Sequence, residues 1–252
     1  MTHALGGALA ALALAATAVP AVADDTIATD KGDLVIHPFH HASMLIAWNG
    51  INILVDPAPP VSGDKPADIT AEYRAVATPD LILVTHEHPD HFNVPILQAV
   101  AGGDTTLVAP QDVADKMPAA LKAKTKVMAD GSSATVKGIP VTAVPAYNTA
   151  SDRIKFHPQG RHDNGYVLTL GDKRIYIAGD TEETPEMKAL DRIDVAFLPM
   201  NLPYTMDIEH AEQAVKDFKP KIVYPYHYAG SDVEAFKSLV GDAADVRLLK
   251  WY

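Results

Sequence analysis

The chain has no cysteine. That excludes disulfides, thiolate metal ligands, cysteine nucleophiles and cysteine-linked lipids. Positive charge is also scarce, with 21 Lys+Arg against 32 Asp+Glu and a net charge of −11. Nucleic-acid binding, which needs a basic face against phosphates, is therefore not expected. A Gly-x-Ser-x-Gly elbow is missing, so the serine-hydrolase route is not signalled either. No low-complexity linker follows residue 24. What is there is a globular composition: 252 residues, 48% hydrophobic and 21% charged, enough apolar mass for a large core. Eleven histidines stand out in this acidic background. With thiols absent, His, Asp and Glu are the side chains left for metal chemistry.

Residues 1–23 carry no Asp, Glu, Lys or Arg, and ten of them are Ala. The stretch ends Pro20-Ala21-Val22-Ala23 before Asp24-Asp25, a small-x-small cleavage signature. The reading is a signal peptide over 1–23 and a domain over 24–252, exported to the periplasm or beyond. Stable membrane insertion after cleavage is not expected, because an alanine-rich segment is weakly apolar for a spanning helix.

Within 24–252, hairpins alternate with strand–helix units. Residues 42–48 and 51–55 flank Asn49-Gly50, the pair that supplies both positive-φ positions of a type I′ turn. Residues 57–70, rich in Pro, Gly and Asp, read as a long loop. Leu81 to Val84 is a short apolar run suited to a strand covered on both faces. Further strands are expected at 106–109, 134–137, 141–144, 166–170, 174–178, 193–198, 221–226 and 246–250. Helices are expected after Asn93, over 111–123, over 207–218 with Asp207 as N-cap, and over 232–240. This is a single-domain α/β pattern, two sheets packed together with helices outside.

The chemistry sits at strand ends. Thr85-His86-Glu87-His88-Pro89-Asp90-His91 directly follows the apolar strand. Imidazole and carboxylate suit zinc, with manganese or iron as alternatives. In a turn, His86 and His88 can address one ion while Asp90 and His91 address another. Pro89 and the spacing exclude the helical His-Glu-x-x-His motif. Two other strands end the same way, in Ala178-Gly179-Asp180-Thr181 and in Pro225-Tyr226-His227-Tyr228. Tyr224, Tyr226 and Tyr228 alternate along a strand and read as packing residues.

These three segments, with His41-Ala42-Ser43 and Ile53-Leu54-Val55-Asp56-Pro57, resemble the metallo-β-lactamase superfamily. Within it, the chain looks most like the branch of ascorbate-phosphate lactonases and phospholipase D-type hydrolases of N-acyl ethanolamines. The resemblance spans about residues 33–252 and implies an αβ/βα four-layer sandwich of two similar halves, with metals on one edge between the sheets. It implies that His86 and His88 hold a first ion, that Asp90, His91 and His227 hold a second, and that Asp180 bridges them. It places His41 towards substrate, and Asp56 beneath the metals as support for their ligands.

One departure matters. The first ion of this family takes a third His at the end of the strand occupied here by residues 141–145, and that slot holds Asn148. His157, in Phe156-His157-Pro158, is favoured as the replacement, with Asn148 itself as the rival. His162, His37 and His210 read as surface or structural, and Arg153, Lys155 and Arg161 as a solvated cluster. Tyr204 and Met206 are candidates for a pocket wall. The implied activity is metal-dependent hydrolysis of an ester, lactone, amide or phosphodiester in a small-molecule substrate. One or two divalent cations would acidify a water nucleophile, which Asp90 and Asp180 orient. The rival, prompted by Asn148, is a non-catalytic metal- or ligand-binding protein on the same fold.

Overall fold

The computed structural model describes residues 24–61 and 69–252. The signal-peptide reading at 1–23, and half of the loop expected at 57–70, lie outside the described residues. The first half opens with an antiparallel meander, β1 (Asp25–Thr29), β2 (Gly32–Pro38), β3 (Met44–Trp48) and β4 (Ile51–Val55). It continues with three strands added in parallel, β5 (Leu81–Leu83), β6 (Thr106–Ala109) and β7 (Thr125–Val127).

The second half repeats the plan. Antiparallel β8 (Ser133–Val136), β9 (Ile139–Ala146), β10 (Asp163–Leu170) and β11 (Lys173–Ile177) are followed by parallel β12 (Val195–Pro199), β13 (Ile222–Tyr226) and β14 (Asp245–Val246). Each half is thus a seven-stranded sheet whose spatial order follows the chain. Parallel neighbours need crossovers. These carry α1 (Ile69–Val76), α2 (Val94–Val100), α3 (Gln111–Lys116) and α4 (Ala119–Lys122) in the first half, and α5 (Pro185–Lys188), α6 (Ile208–Phe218) and α7 (Val233–Val240) in the second.

The layers follow from which side chains each strand buries. Ile46, Ile53, Leu83 and Val108 of the first sheet meet Leu168, Ile175, Val195 and Phe197 of the second in the central core. The outer face of the first sheet, with Leu45, Leu54, Ile82 and Leu107, is covered by Tyr73, Ile96, Leu97 and Val113 of the helices. The outer face of the second, with Tyr176, Ala196, Leu198 and Val223, is covered by Met187, Ala211, Val215 and Phe236. This is the four-layer αβ/βα sandwich. The parallel strands are apolar on both faces because both faces are covered, and each fully buried aliphatic side chain contributes about 1.5–3 kcal/mol.

The expected hairpin turn at Asn49-Gly50 is present, with φ of 49° and 75°. Tyr224 and Tyr226 face the central core, as packing residues should. Several expectations need correction. The last strand is Asp245–Val246, shorter than 246–250, because its ladder pairs only Ile222 with Asp245 and Val223 with Val246. Strands β1, β2 and β7 and helices α1 and α5 are additional. β2 carried a readable signal, since Leu34 and Ile36 alternate with more exposed neighbours. β7 did not, because its Thr-Lys-Val run is largely exposed and its pairing to β6 is a backbone matter.

Candidate metal centre

The C-terminal ends of the parallel strands β5 and β13 and of β11 share one edge of the sandwich, where ligands gather in layered α/β folds. The turn after β5 carries His86, His88, Asp90 and His91, and is closed by the His91 and Phe92 backbone N–H groups donating to the His88 carbonyl. Asp180 follows β11 through Gly179, whose φ of 68° suits glycine. A Cβ there would lie 3.0 Å from the Asn164 carbonyl oxygen. His227 follows β13. His41, Asp56 and His227 all hold positive φ values, of 56°, 42° and 45°. Such backbone strain in non-glycine residues concentrates at functional sites.

Two donor groups result. His86, His88, His157 and Asp180 offer one ligand atom each within 4.8 Å of one another, and so do His41, Asp90, His91 and His227. Asp180 lies between them. Its Oδ2 is 3.4 Å from His157 Nε2, 3.9 Å from His86 Nε2 and 3.0 Å from His227 Nε2, and its Oδ1 is 3.3 Å from His91 Nε2. Asp180 is 2% exposed. Burial alone would protonate it, but His227, His91 and His157 hold its carboxyl well below the usual range.

The outward nitrogens are fixed from behind. Asp56, fully buried, accepts from Thr85 N (2.8 Å), Thr85 Oγ1 (2.7 Å) and His91 Nδ1 (2.8 Å). His91 therefore turns Nε2 inward. Thr85 Oγ1 donates its O–H to Asp56, so it accepts from His86 Nδ1 at 2.9 Å, and the bare Nε2 of a neutral His86 faces the site. Burial and neighbouring imidazoles keep His86 well below its ordinary pKa, and His88 is lowered to about 4 by burial, His157 and Arg161.

Whether a cation fits is tested by what these atoms lack. His86 Nε2, His91 Nε2, His227 Nε2 and Asp180 Oδ1 are buried without a hydrogen-bond partner. Four orphaned donors at one spot would cost about 1–3 kcal/mol each if nothing satisfied them. Lone pairs of imidazole and carboxylate converging on common points are what a divalent cation satisfies, so the donor set fits one or two such ions.

Comparison with known proteins agrees. Residues 35–227 match the β-lactamase superfamily domain. The chain is 34% identical over 230 residues to a UPF0173 metal-dependent hydrolase of Pyrococcus abyssi, covering 83% of this chain and 93% of that protein. The chain belongs to the metallo-β-lactamase superfamily, in its UPF0173 family of metal-dependent hydrolases. A relative of the same description in Thermococcus kodakarensis is 34% identical over 222 residues, covering 83% of this chain and 93% of its own. A crystal structure of a metal-dependent hydrolase from Parabacteroides distasonis superposes with a TM-score of 0.81 at 38% identity, over 92% of this chain and all of that one. A metallo hydrolase of Ignicoccus hospitalis, at 24% identity and TM-score 0.70 over 86% of this chain and 95% of that one, shares the fold. The chain is accordingly an enzyme of this superfamily, a metal-dependent hydrolase.

His157 and Asn148 are placed differently relative to the donor groups. The side chain of Asn148 donates Nδ2 to the carbonyls of Tyr204 (2.7 Å) and Arg153 (3.1 Å), and its backbone N–H donates to the His157 carbonyl at 2.8 Å. Asn148 staples the loop, and His157 stands in the donor group. Glu182, two residues after Asp180, secures the same loop by accepting from Thr149 N, Thr149 Oγ1, Ala150 N and Arg153 Nε.

Of the cluster expected to be solvated, Lys155 is exposed, but Arg153 and Arg161 are drawn inward. Arg153 is spent on Glu182. Arg161 is paired with Asp163 and reaches His88 Nε2 and His157 Nδ1, each at 2.9 Å, because Asp163 at the start of β10 draws it inward. Lys155 lies over the Phe156 ring. Met206 is fully buried in the helix-covered core and leaves the pocket wall to Tyr204. His162 is exposed, and His37 and His210 pair with Asp24 and Asp207. Sequence reasoning missed Glu182 and Tyr252, neither of which has a local signal beyond being polar near a motif or at the far end of the chain.

Proposed function

We propose that the enzyme cleaves an acyl bond, a carboxylic ester, lactone or amide, in an uncharged small molecule, at the edge held by the two donor groups. The observation that carries the reading is the convergence of buried, unpartnered His86 Nε2, His91 Nε2, His227 Nε2 and Asp180 Oδ1 at a pocket of about 580 Å³, a volume suited to a small-molecule ligand. Its floor holds His41, His88, Asp90, His157, Asp180 and His227. Pro59, Pro60, Val61, Pro89, Phe156 and Tyr204 form the walls, and no Lys or Arg is among the described lining residues. The resemblance to lactonases and to phospholipase D-type hydrolases spans acyl and phosphodiester chemistry; among the described wall residues none is cationic, and the Arg161 guanidinium behind His88 and His157 is already paired with Asp163, which together support the acyl side.

His86, His88 and His157 would hold the first ion, Asp90, His91 and His227 the second, with Asp180 shared. The imidazole-rich set favours zinc, with manganese or iron as alternatives. When bound, the ions supply an acidified water and polarise the oxygen of the scissile bond. Asp180, anionic between the imidazoles, and Asp90 orient the water. Phe156 and Tyr204, ring centroids 5.0 Å apart, exclude solvent from the acyl side and position the substrate. The Ala-rich leader ending Ala21-Val22-Ala23 supports export of the domain before it acts.

The test combines metal analysis with ester, lactone, amide and phosphodiester substrates. Two ions per chain and turnover of an acyl substrate are expected. Asp180→Asn should stay folded, since Asp180 lies outside the apolar core, yet lose metal and turnover. Full metal content in Asp180→Asn, or preference for phosphodiesters, refutes the reading.

A further inference from the structure

We propose that Tyr252 and His41 form a hydrogen-bonded relay that fixes the carboxylate of Asp90, with His41 acting as a positioning residue and not as a metal ligand. This rests on the reading of Asp90 as a metal donor. His41 Nε2 lies 3.0 Å from Asp90 Oδ2, and His41 Nδ1 lies 2.6 Å from the Tyr252 hydroxyl. An ionised carboxylate only accepts hydrogen bonds, so the imidazole proton facing Asp90 is on Nε2. A neutral imidazole has one such proton, which leaves Nδ1 bare to accept from the phenol. Both ring nitrogens are then engaged, and no lone pair of His41 is left for an ion.

The surroundings hold this arrangement. His41 is 3% exposed. Its backbone N–H donates to the Trp251 carbonyl at 3.2 Å, and its own carbonyl accepts from the His227 N–H at 2.9 Å. Trp251, in the central core, donates its indole N–H to the Ser43 carbonyl at 3.2 Å. The His41 ring packs on His227 with centroids 3.7 Å apart, and Tyr252 packs on Tyr228 at 4.9 Å. The phenol is thus anchored by the segment before it, and the imidazole by the loop between β2 and β3. Asp90 sits on the turn after β5, with 27% side-chain exposure. Without an external donor its carboxylate could rotate. The relay supplies that donor from a residue 49 positions away, backed by one 211 positions from His41.

The test reads tautomer and metal affinity separately. In ¹⁵N NMR of the metal-free protein, His41 (assigned by comparison with His41→Gln) should show the Nε2–H tautomer, and Tyr252→Phe should move its Nδ1 resonance towards that of a free acceptor. In competition with a chromophoric chelator, using zinc as the probe, His41→Ala should weaken the second ion by about 10- to 100-fold, as loss of a partner behind a ligand does. His41→Gln, whose amide N–H can still donate to Asp90, should recover most of that loss, and Tyr252→Phe should cost about 2- to 10-fold. If His41→Gln loses the ion as fully as Asp90→Asn does, His41 is a ligand and the relay is overturned. If Asp90→Asn loses the second ion while His41→Ala keeps it, the relay fails and the metal reading stands. If Asp90→Asn keeps both ions, the metal reading itself fails.

Discussion

Replacing His157 with alanine removes the donor proposed to stand in for the third histidine, and the structure sets the size of the effect. His157 is 1% exposed, with Nε2 3.4 Å from Asp180 Oδ2, in one donor group with His86 and His88. Binding free energies of about 10–16 kcal/mol for four-ligand zinc sites correspond to roughly 2.5–4 kcal/mol per donor. At about 1.4 kcal/mol per decade, His157→Ala should weaken the first ion by roughly two to three orders of magnitude. The second ion should be affected far less, because His91, His227 and Asp90 remain. Asn148→Ala should behave differently. It deletes two side-chain hydrogen bonds, to Arg153 O and Tyr204 O, worth about 0.5–1.5 kcal/mol each. The loss appears in thermal stability, and reaches the first ion only through a looser loop. Chelator competition resolves the two affinities, and calorimetry the stabilities. First-ion affinity at the parent level in His157→Ala, or a larger loss in Asn148→Ala, would refute the assignment.

Two further outcomes follow from the geometry. A Cβ at Gly165 would lie 2.6 Å from the Ala178 carbonyl oxygen and 2.8 Å from that of Ile177. Gly165→Ala must therefore push the strand end that leads into Asp180, at about 1–3 kcal/mol and roughly 2–12 °C in Tm, with weaker metal binding; a parent-like Tm and metal content would contradict this. In the metal-free protein, burial lowers His41 and His88 to about 4 from 6.5. Burial also pushes His91 down, but Asp180, Asp56 and Asp90 outweigh it and lift His91 to about 10. His41 and His88 thus bind fewer protons folded than unfolded between about 4 and 6.5, and stability falls as pH drops through that window. His91 binds more between 6.5 and about 10, and its contribution, full below 6.5, is lost as pH rises. Scanning calorimetry of chelator-treated protein should show Tm falling on both sides of about pH 6.5, and a flat profile would show that these groups do not titrate as described.

The sequence by itself determined the strands around the site and which of their ends carry clustered His and Asp side chains. Apolar runs such as Leu81 to Leu83 and Val195 to Leu198 have one low-energy use, as strands covered on both faces, and His86 to His91 must then emerge at a strand end. Asn49-Gly50 and the Asp207 cap are equally local, since they satisfy φ angles and N–H groups within a few residues. Tertiary structure alone decided what depends on distant backbone meeting. That the His157 side chain, and not that of Asn148, stands beside His86, His88 and Asp180 follows from a loop tied by Glu182 and by the Tyr204 carbonyl. That Arg161 is drawn against His88 follows from Asp163 at the start of β10. His41 read as a substrate contact because nothing near it in the chain reveals Asp90 on one side of its ring and Tyr252 on the other. Local propensity fixes each strand, but only the register of two seven-stranded sheets brings these loop ends to one edge, and hydrogen-bond partners are chosen there.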